Sequence, residues 1–253
     1  MTIQNSMKPM FALFLKEIRG FFSSITGYIV IIVYLVINGL FMWVFPGQFN
    51  ILDAGYSNLD TLFLISPWVF LFLVPAVTMR LFAEEKRTGT IEQLLTRPLT
   101  DLQIVLAKYF AGIVLVLMAI IPTFIYYYSV YKLGSPVGNL DSGGIWGSYI
   151  GLFFLAAIYV AVGVFSSTLS ENQIVAFIIG VIITFFLYAG FDSISSLKIA
   201  GGFDDLVIRL GISDHYRSMS RGVIDTRDIM YFVSVAAFFI LLTRIRLEKR
   251  KWR

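Results

Sequence analysis

Hydrophobic and polar positions segregate along this chain in long blocks. Six apolar stretches, separated by short polar ones, predict membrane-spanning helices over 25–45, 61–82, 104–131, 148–169, 172–191 and 229–244. Crossing a hydrocarbon core of ~30 Å takes about 20 apolar residues, and the first five stretches meet that length. The sixth has only 15 charge-free residues between Asp228 and Arg244. It needs Arg244, and with it Arg227, to reach back to the interface. Inside lipid these stretches must be helical, because backbone groups find no water partners there. The expected fold class is an all-α polytopic membrane protein, one domain over 1–253.

The polar blocks are as informative. Residues 7–22 carry Phe11, Phe14, Leu15, Ile18 and Phe22 as an apolar stripe, with Lys8, Lys16, Glu17 and Arg19 expected to face away. That pattern predicts an interfacial helix. The block 84–101 is the longest densely charged break. Ile91, Leu94 and Leu95 fall at i, i+3 and i+4, with Glu92 and Gln93 on the other face. The spacing predicts one short amphipathic helix, opened by Gly89 and stopped by Pro98, which lacks an amide donor. Such a helix, held between two spans, suits docking into a soluble partner. Ser170-Glu171-Asn172 predicts a tight turn between the fourth and fifth spans. Pro67, Pro75 and Pro122 predict kinks. Gly39, Gly112, Gly151, Gly163 and Gly180 read as close-packing positions. Residues 192–228, with Gly201-Gly202 and several Asp, are too polar to span and are expected to be re-entrant or extracytoplasmic. The single histidine, His215, is expected at the surface. One His beside one Asp makes neither a metal site nor a triad.

Composition narrows the function classes. Of 253 residues 58% are hydrophobic and 14% charged, against roughly 25% charged in soluble chains. The pI is about 9.2, but the basic residues flank apolar runs, which is a membrane pattern and not a nucleic-acid one. With both termini cytoplasmic, 14 of the 20 Lys and Arg fall inside, which selects that orientation. There is no cysteine, so thiolate metal sites are excluded. No Gly-Lys pair is present to build a phosphate-binding loop. No acidic residue or histidine sits in mid-span to relay protons. No catalytic residue, metal site or cofactor is expected in this chain, and the energy must come from a partner.

The run Glu84-Glu85-Lys86-Arg87-Thr88-Gly89-Thr90-Ile91-Glu92-Gln93-Leu94-Leu95-Thr96-Arg97-Pro98 resembles the cytoplasmic loop of ABC-2-type permeases. Leu15-Lys16-Glu17-Ile18-Arg19-Gly20-Phe21-Phe22 resembles their N-terminal connecting helix. Through Asn50–Tyr56 and Ala83–Glu85 the whole chain is similar to the permease of the gliding-motility branch. The resemblance implies a coupling helix using Glu84, Glu85, Gly89, Thr90, Ile91, Glu92, Leu94, Leu95 and Pro98, and a connecting helix using Lys16, Glu17 and Arg19. It implies a dimer of ABC ATPase subunits that binds ATP and Mg, and the spacing of Leu94 and Leu95 on one face predicts that both insert into a cleft on the ATPase. A second permease subunit, or an auxiliary membrane protein with an extracytoplasmic region, completes the complex in the bacterial inner membrane. The second and fifth spans then line the central path. Export or force transmission would follow, in gliding motility. A secondary transporter and a non-transporting membrane scaffold are the alternatives.

Overall fold

The computed structural model describes residues 3–96, 98–196 and 207–249. Leu95's side chain, Arg97, the Gly201-Gly202 pair and the basic residues Arg250, Lys251 and Arg253 lie outside that description. All described secondary structure is helical. α1 (Ile3–Phe22) precedes α2 (Ile25–Gly39), which ends in a π turn. A short α3 (Ile51–Ala54) leads to α4 (Asp60–Thr78), and Met79 alone separates α4 from α5 (Arg80–Arg87). After α6 (Thr90–Leu95), α7 (Asp101–Ile120) continues through a 3-10 turn into α8 (Phe124–Leu133). α9 (Ser142–Ser167) and α10 (Gln173–Phe185) form the expected hairpin, and Asn172 caps α10 by accepting the amide of Ile174. A π turn joins α10 to α11 (Phe191–Ser196); α12 (Ile212–Ser220) and α13 (Thr226–Glu248) close the chain.

Six of these helical runs are long and apolar enough to cross a membrane: 25–44, 60–87, 101–133, 142–167, 173–196 and 226–248. The sixth is longer than its charge-free stretch. α13 has 23 residues, about 34 Å of helix. Asp225 caps its start by accepting the amide of Arg227, and an Arg244–Glu248 pair at 2.7 Å extends its end. Charged residues are thus built into both ends of the helix. Of the three prolines, Pro122 interrupts its helix as a 3-10 turn, whereas α4 runs unbroken through Pro67 and Pro75.

α9 is the central helix, packed against α4, α7, α10, α12 and α13. Small residues permit this. A Cβ added at Gly163 would stand 1.9 Å from Thr78 Oγ1 of α4. Each of the other four glycines expected at helix contacts also faces a neighbouring side chain within 3.2 Å. At one end of α9, α12 folds back over the bundle and does not span. Ser148 donates to the Ser220 carbonyl at 3.0 Å and Tyr216 to the Phe63 carbonyl at 2.8 Å.

His215 is not a surface residue. Its side chain is 16% exposed, Nδ1 is 2.7 Å from Asp228 Oδ1 and Nε2 is 2.9 Å from the Arg209 carbonyl. Its ring stacks on Tyr231 at 3.9 Å. The sequence neighbour Asp214 misled the expectation; the partner is Asp228, one helix away.

Candidate functional site

At the other end of the bundle, α1, α5, α6, the start of α7 and the end of α9 converge. The segment expected as one amphipathic helix is two helices with a joint. α5 ends at Arg87, and Gly89 adopts φ +70°, a left-handed conformation that only glycine enters freely. It serves as the N-cap residue of α6. α6 ends at Leu95, before Pro98. The expected faces are present, with Glu92 and Gln93 exposed and Ile91 and Leu94 buried. The burial is internal, however. Ile91 is 1% and Leu94 7% exposed, both within the chain's own core. Leu94 therefore does not present itself for insertion into a partner, because α6 spends its apolar face on this chain. Leu95's side chain lies outside the described residues.

Beneath this joint lies a cluster of four charges from three helices. Lys108 is placed on the buried stripe of α7, in register with Ile104, Val105 and Ala111, and is 0% exposed. Its ammonium donates to Glu17 Oε1 of α1 at 2.9 Å and to the Leu81 carbonyl of α5 at 2.7 Å. It lies 2.9 Å from Glu85 Oε1 of α5. Two of its three N–H donors thus hydrogen-bond, and the Glu85 contact is an ion pair. The Phe82 ring lies 5.0 Å away, within cation–π range. Lys16 completes the cluster at 3.2 Å from Glu17 and 3.1 Å from Glu85. Two cations meet two acidic side chains, so the cluster balances in formal charge, with Lys16 at its exposed edge. Removing one member of such a buried pair costs about 3–5 kcal/mol, because a charge is left uncompensated.

Titration follows from this geometry. Burial pushes the Glu17 carboxyl up, but Lys108, and after it Lys16, outweigh burial and hold it below the usual carboxylate range. Burial pulls Lys16 down, yet Glu17 and Glu85 together hold it above the ordinary lysine value. Glu17, expected to face water, thus points inward; Lys8, Lys16 and Arg19 are exposed as expected. Glu85 pairs with Lys16, while Glu84 and Glu92 stay exposed.

Two further cations fasten α5. Arg80 lies over the Phe21 ring at 5.0 Å and donates at 3.4 Å to Ser24, Thr26 and the Gly20 carbonyl, around the α1–α2 joint. Lys86 donates to the Thr168 carbonyl at the end of α9, where helix carbonyls lack partners and favour a cation. Lys108, Arg80 and Lys86 were absent from the sequence-predicted site. The available signal was a lysine on an apolar helical stripe, which demands acidic partners.

Two open grooves flank the joint. One, of about 720 Å³, runs between α1 and α6 past Leu13, Lys16, Gln93 and Pro98; the other, of about 440 Å³, lies between α1 and α5. A polar, exposed shelf beside two grooves, pinned from beneath to three long helices, can bind a soluble partner and pass its displacement inward. The family model described as ABC-2 family transporter protein matches residues 46–245. The chain belongs to the ABC-2 transporter family. It is a membrane permease subunit of an ABC transporter, and the family implies partnership with an ABC ATPase. No curated protein matches the permease.

Proposed function

We propose that the permease couples ATP hydrolysis by a separate ABC ATPase dimer to export or force transmission, with the α5–α6 joint as the docking element. The observation that carries this reading is the exposed face made by Glu84, Thr88, Gly89, Thr90, Glu92, Gln93 and Pro98, set on a base that Glu85, Ile91 and Leu94 hold to the chain itself. In this reading ATP and Mg bind to the ATPase, and Lys16, Glu17 and Arg19 belong to the helix that receives its push. The shelf faces the cytoplasm, as do both termini, in a bacterial inner membrane. The similarity through Asn50–Tyr56 and Ala83–Glu85 supports the gliding-motility branch, with a second permease copy or an auxiliary subunit bearing an extracytoplasmic region. Co-purification with the ATPase tests the docking element. Glu92→Arg combined with Gln93→Arg should lower ATPase recovery about tenfold, equivalent to ~1.4 kcal/mol of interface energy, with membrane insertion intact. Recovery at the wild-type level would remove α6 from the interface.

A further inference from the structure

Lys108 stands apart from every other charged side chain in the described residues. It is fully buried, and its ammonium lies within 2.9 Å of three residues on α1 and α5: Glu17, Glu85 and the Leu81 carbonyl. We propose that Lys108 is the positioning residue that makes α1, α5 and α7 one mechanical body, so that a push received at the docking shelf moves the third spanning helix. This rests on the docking reading above.

The physical argument is charge balance. With Lys108 present, one buried side-chain nitrogen lies 2.9 Å from a carboxyl oxygen of both Glu17 and Glu85. Their nearest other cation is Lys16, whose side chain is 63% exposed. The remaining charged groups around the cluster are engaged elsewhere or face solvent. Arg80 turns to the α1–α2 joint, Lys86 reaches the end of α9, and Glu84 and Arg19 are exposed. Glu85 Oε2 is buried with no hydrogen-bond partner among the described residues, so the cluster has no spare donor to replace a lost ammonium. Without Lys108 two carboxylates share one exposed cation. Like charges at that range favour uptake of a proton by the pair. The α1–α5 contact then holds when the pair carries a proton and loosens when it does not.

The test uses the purified permease in nanodiscs and its complex with the ATPase. Wild-type thermal stability should be flat between about pH 5 and pH 8. Lys108→Met should lose at least about 4 °C in unfolding temperature as pH rises across that interval. Lys108→Met with Glu17→Gln leaves Lys16 facing Glu85 alone, and should restore the flat profile. Stability is then rescued but the bridge is not. ATPase stimulation by the permease should fall at least about fivefold in both variants, and both should still co-purify with the ATPase. A flat profile for Lys108→Met, or full stimulation in the double variant, would overturn the proposal. If Lys108→Met does not fold, the double variant decides by its stimulation alone. If the wild-type permease recovers no ATPase, the docking reading fails, and the pH profiles still judge the cluster.

Discussion

At Glu17 the linear sequence and the folded chain give opposite answers. Written on a helical wheel it belongs with Lys16 and Arg19 on the wet face; in the fold it is 12% exposed and bound to a lysine 91 positions away. Residue-level charge patterns assume that charge seeks water, and they fail where a distant partner supplies the compensation. His215 and Asp228 failed for the same reason. The positions that were legible, Gly89 and the five packing glycines, are those whose role follows from backbone freedom or the lack of a side chain and needs no distant partner. A pH dependence follows at this scale. The folded Glu17 carboxyl is held below its ordinary range, so its contribution is complete above that range and is lost as pH falls through the folded value. Lys16, held above its ordinary range, contributes at all lower pH and is lost only in strong alkali. Acidification below about pH 4.5 should therefore destabilise the wild-type permease. Glu17→Gln should be less stable at neutral pH and show a shallower acid limb in thermal unfolding. An unchanged acid limb would show that the cluster does not depend on the Glu17 charge.

Among the elements, the spans were legible because lipid forces long apolar runs into helices and leaves little else to decide. Their ends were less so. α13 outruns its charge-free stretch because Asp225 caps it and Arg244 pairs one turn on. The α5–α6 segment shows the sharper limit. Periodicity gave the apolar face of α6 correctly, but periodicity cannot say whose core that face joins. Ile91 and Leu94 join this chain's core, which leaves the polar face for a partner. Leu94→Ala should therefore act on α6 itself, at a cost of about 2–5 kcal/mol for a buried leucine. Hydrogen exchange is the direct measurement: amides of residues 90–95 should exchange faster, while those of α7 and α9 keep their protection. Protection unchanged across α6 would mean that Leu94 does not anchor it.

On the scale of the whole molecule, the two ends of the bundle are built differently, and the proposed orientation can be tested on this difference. One end gathers Lys16, Arg80, Lys86 and Lys108 with α1 and the α5–α6 joint; the other is closed by α12, seated on α9 through Tyr216, Met219 and Ser148. Between them α9 runs 26 residues without a proline, about 39 Å, from the α12 contact to the Thr168 carbonyl that receives Lys86. In the proposed orientation the first end faces the cytoplasm, which the Lys and Arg bias supports, since translocating cations is disfavoured. A chain without cysteine allows a direct test with an impermeant maleimide on intact cells. The probe positions must be exposed, which excludes Ser213, buried against the bundle, and selects Gln93 on α6 and Val223 just beyond α12. Val223→Cys should react in intact cells, and Gln93→Cys only after permeabilisation. The reverse pattern would place the docking shelf outside and separate it from any cytoplasmic ATPase. Reaction of both from outside would contradict the three crossings, an odd number, that separate the two positions.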